Sequence, residues 1–286
     1  MKQRTILRAV SLSGFGVNSG APVTLSIKPA AANDGISFKR VDLPGAPEIK
    51  ASVLAVTDLI RKTALASNGA EVQLVEHVLS ALHGCGVDNV VVEMNAAEAP
   101  IMDGSARAFV QLLLQAGIVE QGAERRYFTL DTPVVVTRGA ATVLALPSQD
   151  FRVTYTALDD RMLSHAQQLS MIIDPESYAR EIAPARTYVL YEDAEMLRKA
   201  GGIKGGTLDN CIVLKGPEVM CNEPLRFSDE LVRHKILDLV GDIMLLGRPI
   251  KAHIIAMRAG HALHAELTKI LCERLRHNPP VAGLAT

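Results

Sequence analysis

Two short segments carry residues whose types and spacing suit hydrolytic chemistry. In Glu230-Leu231-Val232-Arg233-His234-Lys235-Ile236-Leu237-Asp238-Leu239-Val240-Gly241-Asp242, a helix would align His234, Asp238 and Asp242 at i, i+4 and i+8 on one stripe. Leu231, Ile236, Leu237, Leu239, Val240 and Ile243 surround that stripe with apolar surface. Ionisable groups in such surroundings need a partner, because an unpaired buried charge is expensive. A metal ion satisfies imidazole and carboxylate together; a solvated helix face or a local His–Asp pair would serve as well. The second segment, Val75-Glu76-His77-Val78-Leu79-Ser80-Ala81-Leu82, sets a Glu–His pair in an otherwise apolar helix. Brought together, His77, His234 and Asp238 would supply three ligands and leave the fourth tetrahedral position open, as in catalytic zinc sites. Glu76 would then stand where a general base acts on water. The logic is that of HExxH hydrolases, although HExxH itself is absent. Equally, Glu76 could be exposed and His77 a satisfied core histidine.

A third segment, Arg258-Ala259-Gly260-His261-Ala262-Leu263-His264, puts His261 just after an expected strand and behind a glycine. A histidinium there could stabilise a developing oxyanion or protonate a leaving amine, with Asp242 to orient it. His264 makes an HxxH metal pair the competing reading, weakened by the lack of a neighbouring carboxylate base. Ser105 lacks a GxSxG elbow and reads as a turn and helix cap. Gly201-Gly202-Ile203-Lys204-Gly205-Gly206-Thr207 does not fit the GxxxxGK[ST] phosphate loop and reads as a turn that could line a channel. His83, His165, His253 and His277 read as structural or surface residues.

These segments need elements to carry them. Residues 4–60 read as β structure, with strands at Val23–Lys28 and Gly35–Arg40. A helix is expected over Val72–Leu82, a strand over Asn89–Met94 and a helix from the Asp103 turn to about Gln115, ended by Gly117. The second half repeats the order: strands at Tyr127–Val136, Ala141–Leu146 and Phe151–Thr156, a helix over Ser228–Leu246, a strand at His253–Met257 and a helix over Gly260–Arg276. Helix, turn, strand, turn, helix thus occurs twice with little residue identity. Two α+β domains facing one another are expected, 1–125 and 126–286, with the boundary near Gly122–Arg126.

Composition excludes several functions. The 286 residues carry 30 basic and 31 acidic side chains, so there is no basic excess to neutralise nucleic-acid phosphates. Aromatic residues are 4% and tryptophan is absent, which disfavours a base-stacking platform. No apolar run approaches a transmembrane span, and the amino terminus lacks a signal peptide's apolar stretch. Cys85, Cys211, Cys221 and Cys272 are scattered without a CxxC pair, as expected of reduced thiols in a cytoplasmic protein.

Read together, the segments resemble the UDP-3-O-acyl-N-acetylglucosamine deacetylase family, the zinc amidases of lipid A synthesis. The resemblance runs from Lys2-Gln3-Arg4-Thr5 to about Leu271. It is carried by Val75-Glu76-His77, Pro100-Ile101-Met102-Asp103-Gly104-Ser105, Ala183-Pro184-Ala185-Arg186-Thr187, Lys204-Gly205-Gly206-Thr207-Leu208-Asp209-Asn210, Leu225-Arg226-Phe227, Val232-Arg233-His234-Lys235 and Gly260-His261-Ala262. It implies two similar α+β domains, each a small sheet layered against helices, with one catalytic zinc per chain at their junction. It implies His77, His234 and Asp238 as ligands, Glu76 as general base, and His261 as the charged residue at the reacting carbonyl. Thr187 would hold the oxyanion and Asp242 would partner His261. Lys235, Arg186, Gly206 and Thr207 would contact the substrate, a UDP-linked acylated amino sugar. Arg186–Val213 would contribute an apolar passage for the acyl chain, and the protein would be a monomer. The implied reaction removes the 2-acetamido group's acetate. The chain departs from the family's usual pattern at Asn18 and at Leu158–Arg161, which concerns substrate recognition. Other functions compatible with these residues are a general N-acetyl-sugar deacetylase, a non-catalytic sugar-nucleotide binder on the same fold, and a non-haem iron oxygenase with a two-histidine, one-carboxylate triad. Glu76 beside the ligands argues against the last.

Overall fold

Strands that alternate buried and exposed residues build two sheets on one plan. The structure, a computed structural model, describes residues 1–277; the side chains of Arg276 and His277 lie outside what it describes. In the first half β1 (Val10–Phe15), β2 (Pro22–Pro29), β3 (Ile36–Arg40), β4 (Glu48–Lys50) and β5 (Val90–Met94) lie in the order β1-β2-β5-β3-β4. In the second half β6 (Val134–Arg138), β7 (Ala141–Pro147), β8 (Phe151–Ala157), β9 (Gln167–Ile172) and β10 (Ile250–Met257) lie in the order β6-β7-β10-β8-β9. Each fifth strand enters between the second and third, antiparallel to one and parallel to the other.

A parallel neighbour requires a long crossover, and here the crossovers carry the chemistry. Helix α1 (Glu76–Gly84) precedes β5 and α2 (Arg107–Ala116) follows it. In the second half α4 (Glu230–Met244) precedes β10 and α5 (His261–His277) follows it. Each crossover also holds a three-stranded insert: Val56–Asp58, Ala64–Ser67 and Ala70–Gln73 in the first half, and Tyr188–Leu190, Ile212–Lys215 and Glu218–Met220, with helix α3 (Tyr191–Lys199), in the second. The repeat expected from the sequence therefore extends to strand order and to the position of the inserts. Buried residues of both sheets, including Leu25, Phe38, Val92, Val143, Val153 and Ile254, join α1 and α4 in one continuous apolar core.

Three expectations need correction. The helix expected from Val72 begins at Glu76, and Ala70–Gln73 is a strand. Leu74 makes the break with φ of 59°, a left-handed conformation that a leucine does not advertise in sequence. The strand expected over Tyr127–Val136 is two pieces. Phe128–Thr129 pairs with Ile250–Lys251, and β6 starts only after Pro133, which has no N–H to give a ladder. The helix after the Asp103 turn begins at Arg107 with Ala106 as its N-cap, and the Ser105 hydroxyl, one residue earlier, accepts the Arg107 N–H at 3.2 Å within the turn and does not cap the helix. The sequence also left unread the pairing of Lys2–Ile6 with Ile118–Glu124, which ties the amino terminus to the end of the first half.

Candidate active site

Helices α1 and α4 pack closely because both present small residues where they meet. A Cβ on Gly241 would overlap the carbonyl oxygen of Glu76, so only glycine admits this approach. The Ser80 hydroxyl donates to the Leu237 carbonyl at 2.7 Å and accepts from the Tyr178 hydroxyl at 2.7 Å. His83 donates from Nδ1 to the Val240 carbonyl at 2.9 Å. These bonds satisfy backbone carbonyls of α4 from α1 and fix the two helices to each other.

That docking brings His77 from α1 to His234 and Asp238 from α4, all three buried, with one ligand atom from each within 4.8 Å of the others. Asp238 Oδ1 lies 3.4 Å from His234 Nε2 and 3.9 Å from His77 Nε2. The other oxygen of Asp238 accepts from Lys235 Nζ at 2.9 Å, and His234 donates from Nδ1 to the Ala185 carbonyl at 3.1 Å. Such outer contacts set the direction of the groups they hold. His77 has no such contact: Nδ1 is buried without a partner, and Nε2 is beyond hydrogen-bonding distance of Asp238. A buried imidazole with Nδ1 unpartnered and Nε2 facing Asp238 at 3.9 Å fits a metal ligand, and two imidazoles with one carboxylate are a donor set that zinc takes. Burial, with His234 alongside, pushes the His77 pKa down to about 3, which leaves the ring neutral as a ligand must be. Burial alone would raise Asp238, but the charges of Lys235 and His261 outweigh it and hold the carboxylate ionised.

Glu76 is buried at the first turn of α1, and its Oε2 accepts the Thr63 backbone N–H at 2.9 Å. Burial raises its pKa to about 7 even though the charge on His261 pulls the other way. His261, at the start of α5, donates from Nδ1 to Asp242 Oδ2 at 2.8 Å. Burial would lower its pKa, yet the Asp242 carboxylate carries it up to about 9. Thr187 is held from both sides, its N–H on the Gly104 carbonyl at 2.8 Å and its carbonyl on the Ile212 N–H at 2.9 Å.

Glu76, His77, Thr187, His234, Lys235, Asp238 and His261 all line one cavity of about 810 Å³. Its remaining wall includes Met162, Leu190, Met196, Leu197 and Ile203, so much of the Arg186–Val213 stretch faces it. Four non-glycine residues with positive φ also line it: Arg61 at 58°, Leu74 at 59°, Ile203 at 46° and Arg258 at 54°. Strained backbone of this kind gathers at functional sites. The departures from the family pattern, Asn18 and Leu158–Asp159–Arg161, are wall residues as well. Asn18 is pinned by Glu98, whose carboxylate accepts from its backbone and its side-chain amide.

Some expected residues fall elsewhere. Arg186 is 1% exposed and makes an ion pair with Glu230 at 2.9 Å; its guanidinium also donates to the Glu223 and Pro224 carbonyls. With its donors used in this way it braces the start of α4 and reaches no part of the cavity, which corrects its reading as a substrate contact. Gly206 and Thr207 are not wall residues; Thr207 lies in a turn where its backbone N–H donates to Asn210 Oδ1 at 2.9 Å, and only Ile203 of that glycine-rich segment reaches the cavity. Asp242 also stands behind the wall and acts on it through His261. His264 donates from Nδ1 to Asp242 Oδ2 at 2.9 Å, and Asp242, His261 and His264 form a second group whose ligand atoms lie within 4.8 Å of one another. Thr63 carried no motif, and no sequence signal pointed to it.

Comparison with known proteins agrees with this geometry. The chain matches the family model LpxC, UDP-3-O-acyl N-acetylglycosamine deacetylase, over residues 3–273. It is 42% identical over 267 residues to a UDP-3-O-acyl-N-acetylglucosamine deacetylase of Anaeromyxobacter sp. (strain Fw109-5), covering 93% of this chain and 87% of that protein. It is likewise 42% identical over 272 residues to the protein of that name from Thermosynechococcus vestitus (strain NIES-2133 / IAM M-273 / BP-1), covering 95% and 94%. Among the described residues no helix is long and apolar enough to cross a membrane.

Proposed function

The chain belongs to the UDP-3-O-acyl N-acetylglycosamine deacetylase family, and from that premise we propose how its residues hydrolyse the 2-acetamido group of UDP-3-O-acyl-N-acetylglucosamine. The observation that carries the reading is the convergence of His77, His234 and Asp238 with Glu76 and His261 on one cavity. His77, His234 and Asp238 would hold a zinc ion, which when bound would polarise the acetyl carbonyl and acidify water. Glu76 takes the proton of the attacking water; its pKa of about 7 suits both taking and returning one. The Thr187 hydroxyl and the His261 imidazolium face the oxyanion that develops on the carbonyl oxygen. Collapse breaks the C–N bond, releasing acetate and the glucosamine nitrogen, which needs a proton because an amide anion is too poor a leaving group. That proton is available from Glu76, which has just received one, and from His261, which is charged below about pH 9. Lys235 contacts the substrate beside Asp238. The Leu190, Met196, Leu197 and Ile203 wall receives the 3-O-acyl chain.

We assign residues 1–125 and 126–286 to two domains, supported by the repeated strand order, and the protein to the cytoplasm, where free Cys85, Cys211, Cys221 and Cys272 are chemically stable. The test of function is acetate release from the acylated nucleotide by protein whose metal has been analysed. One zinc per chain and acetate release are expected. Zinc-loaded protein that releases no acetate would overturn the assignment.

A further inference from the structure

Asp242 is fully buried, yet its carboxylate receives three hydrogen bonds from two separate parts of the chain. Thr63, just before the strand Ala64–Ser67, donates from Oγ1 to Oδ1 at 2.7 Å. His261 and His264, one turn apart on α5, both donate from Nδ1 to Oδ2, at 2.8 and 2.9 Å. Of the three donors only His261 lines the cavity; Thr63 and His264 are 0% exposed. Thr63 has a second bond, from its backbone N–H to Glu76 Oε2 at 2.9 Å. The far nitrogen of His264 lies 3.4 Å from the Tyr155 hydroxyl, which is itself committed to the Ala259 carbonyl at 2.6 Å.

A carboxylate can hold an imidazole in one orientation only if it cannot itself rotate. With His261 as its sole partner, Asp242 could turn about its terminal torsion and offer either oxygen. Thr63 occupies Oδ1, which leaves Oδ2 for the imidazoles. His264 crosses Oδ2 from the next turn of the helix and fixes where on that oxygen His261 binds. We propose that Thr63 and His264 are positioning residues that lock the Asp242 carboxylate so that it aims His261 into the cavity, and that Thr63 fixes the Glu76 carboxylate relative to the same pair. The two groups that exchange protons with substrate are thereby set against each other through one residue that never touches it. This inference rests on the proposed role of His261 at the reacting carbonyl.

The test compares zinc-loaded Thr63→Val and His264→Leu, which remove the donors, with Thr63→Ser and His264→Asn, which keep one. Loss of a charge-assisted hydrogen bond behind His261 should lower kcat about tenfold with KM little changed. The conservative variants should recover most of that loss. Histidine-labelled protein gives a readout independent of turnover. In the wild type both His261 and His264 should show hydrogen-bonded, slowly exchanging Nδ1–H proton resonances. The His261 resonance should shift and exchange faster in Thr63→Val and in His264→Leu, and return in Thr63→Ser and His264→Asn.

Absence of the His264 Nδ1–H resonance from the wild type overturns the proposal without any variant, so it stays testable if Thr63→Val does not fold. A second equivalent of zinc bound by the wild type and lost in His264→Leu also overturns it, by making His264 a ligand. Wild-type kcat in Thr63→Val beside an inactive His261→Ala overturns this inference alone. Full turnover by His261→Ala overturns it together with the reading it rests on.

Discussion

Glu76 and His77 are neighbours in sequence and opposites in chemistry. His77 has no hydrogen-bond partner and is neutral, as a ligand must be, whereas Glu76 is bonded to Thr63 and titrates near neutrality. Substitution should therefore separate metal binding from turnover. His77→Ala should lose both zinc and activity. Glu76→Gln keeps the side chain's shape and should keep its zinc, while kcat falls by a factor of about 10²–10⁴, the usual worth of a general base. Metal analysis beside turnover checks both, and near-normal turnover in zinc-loaded Glu76→Gln would defeat the mechanism. The pH profile follows from the same groups. Glu76 must be unprotonated, so kcat/KM should rise as pH passes about 7; His261 must be protonated, so it should fall as pH passes about 9. Glu76→Gln should weaken the acidic limb and leave the alkaline one. The two limbs are properties of the coupled site, which includes the water being deprotonated.

At the scale of elements, the site depends on how closely α1 meets α4. Gly241→Ala would drive a methyl group into the Glu76 carbonyl and force the helices apart. Overpacking of this kind costs about 1–3 kcal/mol, and here the displaced residues include Glu76 and His77. The expected outcome is a lower urea midpoint together with weaker zinc retention against a chelator; a variant that loses stability but holds zinc as tightly as the wild type would argue against this coupling. The stripe of His234, Asp238 and Asp242 was legible in the sequence because helical period and residue type agree. The period alone did not divide its labour: Asp238 stands with His77 and His234, and Asp242, one turn on, stands with His261, a division carried by the motifs around the stripe. The start of α1 was illegible for a different reason. Val72, Leu74, Val75 and Val78 are all buried, so a strand and a helix leave the same apolar trace there, and only the left-handed Leu74 separates them. Arg186 was misread because a cation in a matching motif says nothing about its partner, and Glu230 lies 44 positions away.

Across the whole molecule, the repeated order of elements and the facing of the two halves could be read from the sequence, but the part of their contact made by residues outside any motif could not. His83 is one of them. It donates to the Val240 carbonyl on α4, and its ring stacks on Phe151 of the second sheet with centroids 5.2 Å apart. It is thus a buried imidazole from the first half lodged in the second. Burial lowers its pKa to about 4, opposed by the bond to Val240. A histidine in the unfolded chain titrates near 6.5. The folded protein therefore resists a proton that the unfolded chain accepts. The sign follows: the contribution of His83 to stability is fully present above about pH 6.5, shrinks as pH falls towards 4, and is constant below that. The difference corresponds to about 3 kcal/mol at the acid end. Urea unfolding of the wild type and of His83→Gln, followed from about pH 7.5 to 4.5, isolates this term, because the other buried histidines are common to both. The wild type should lose more stability over that range than the variant, by about 2–3 kcal/mol. Parallel pH dependences would show that His83 is not kept neutral by the junction, and that the two halves are not held together through it.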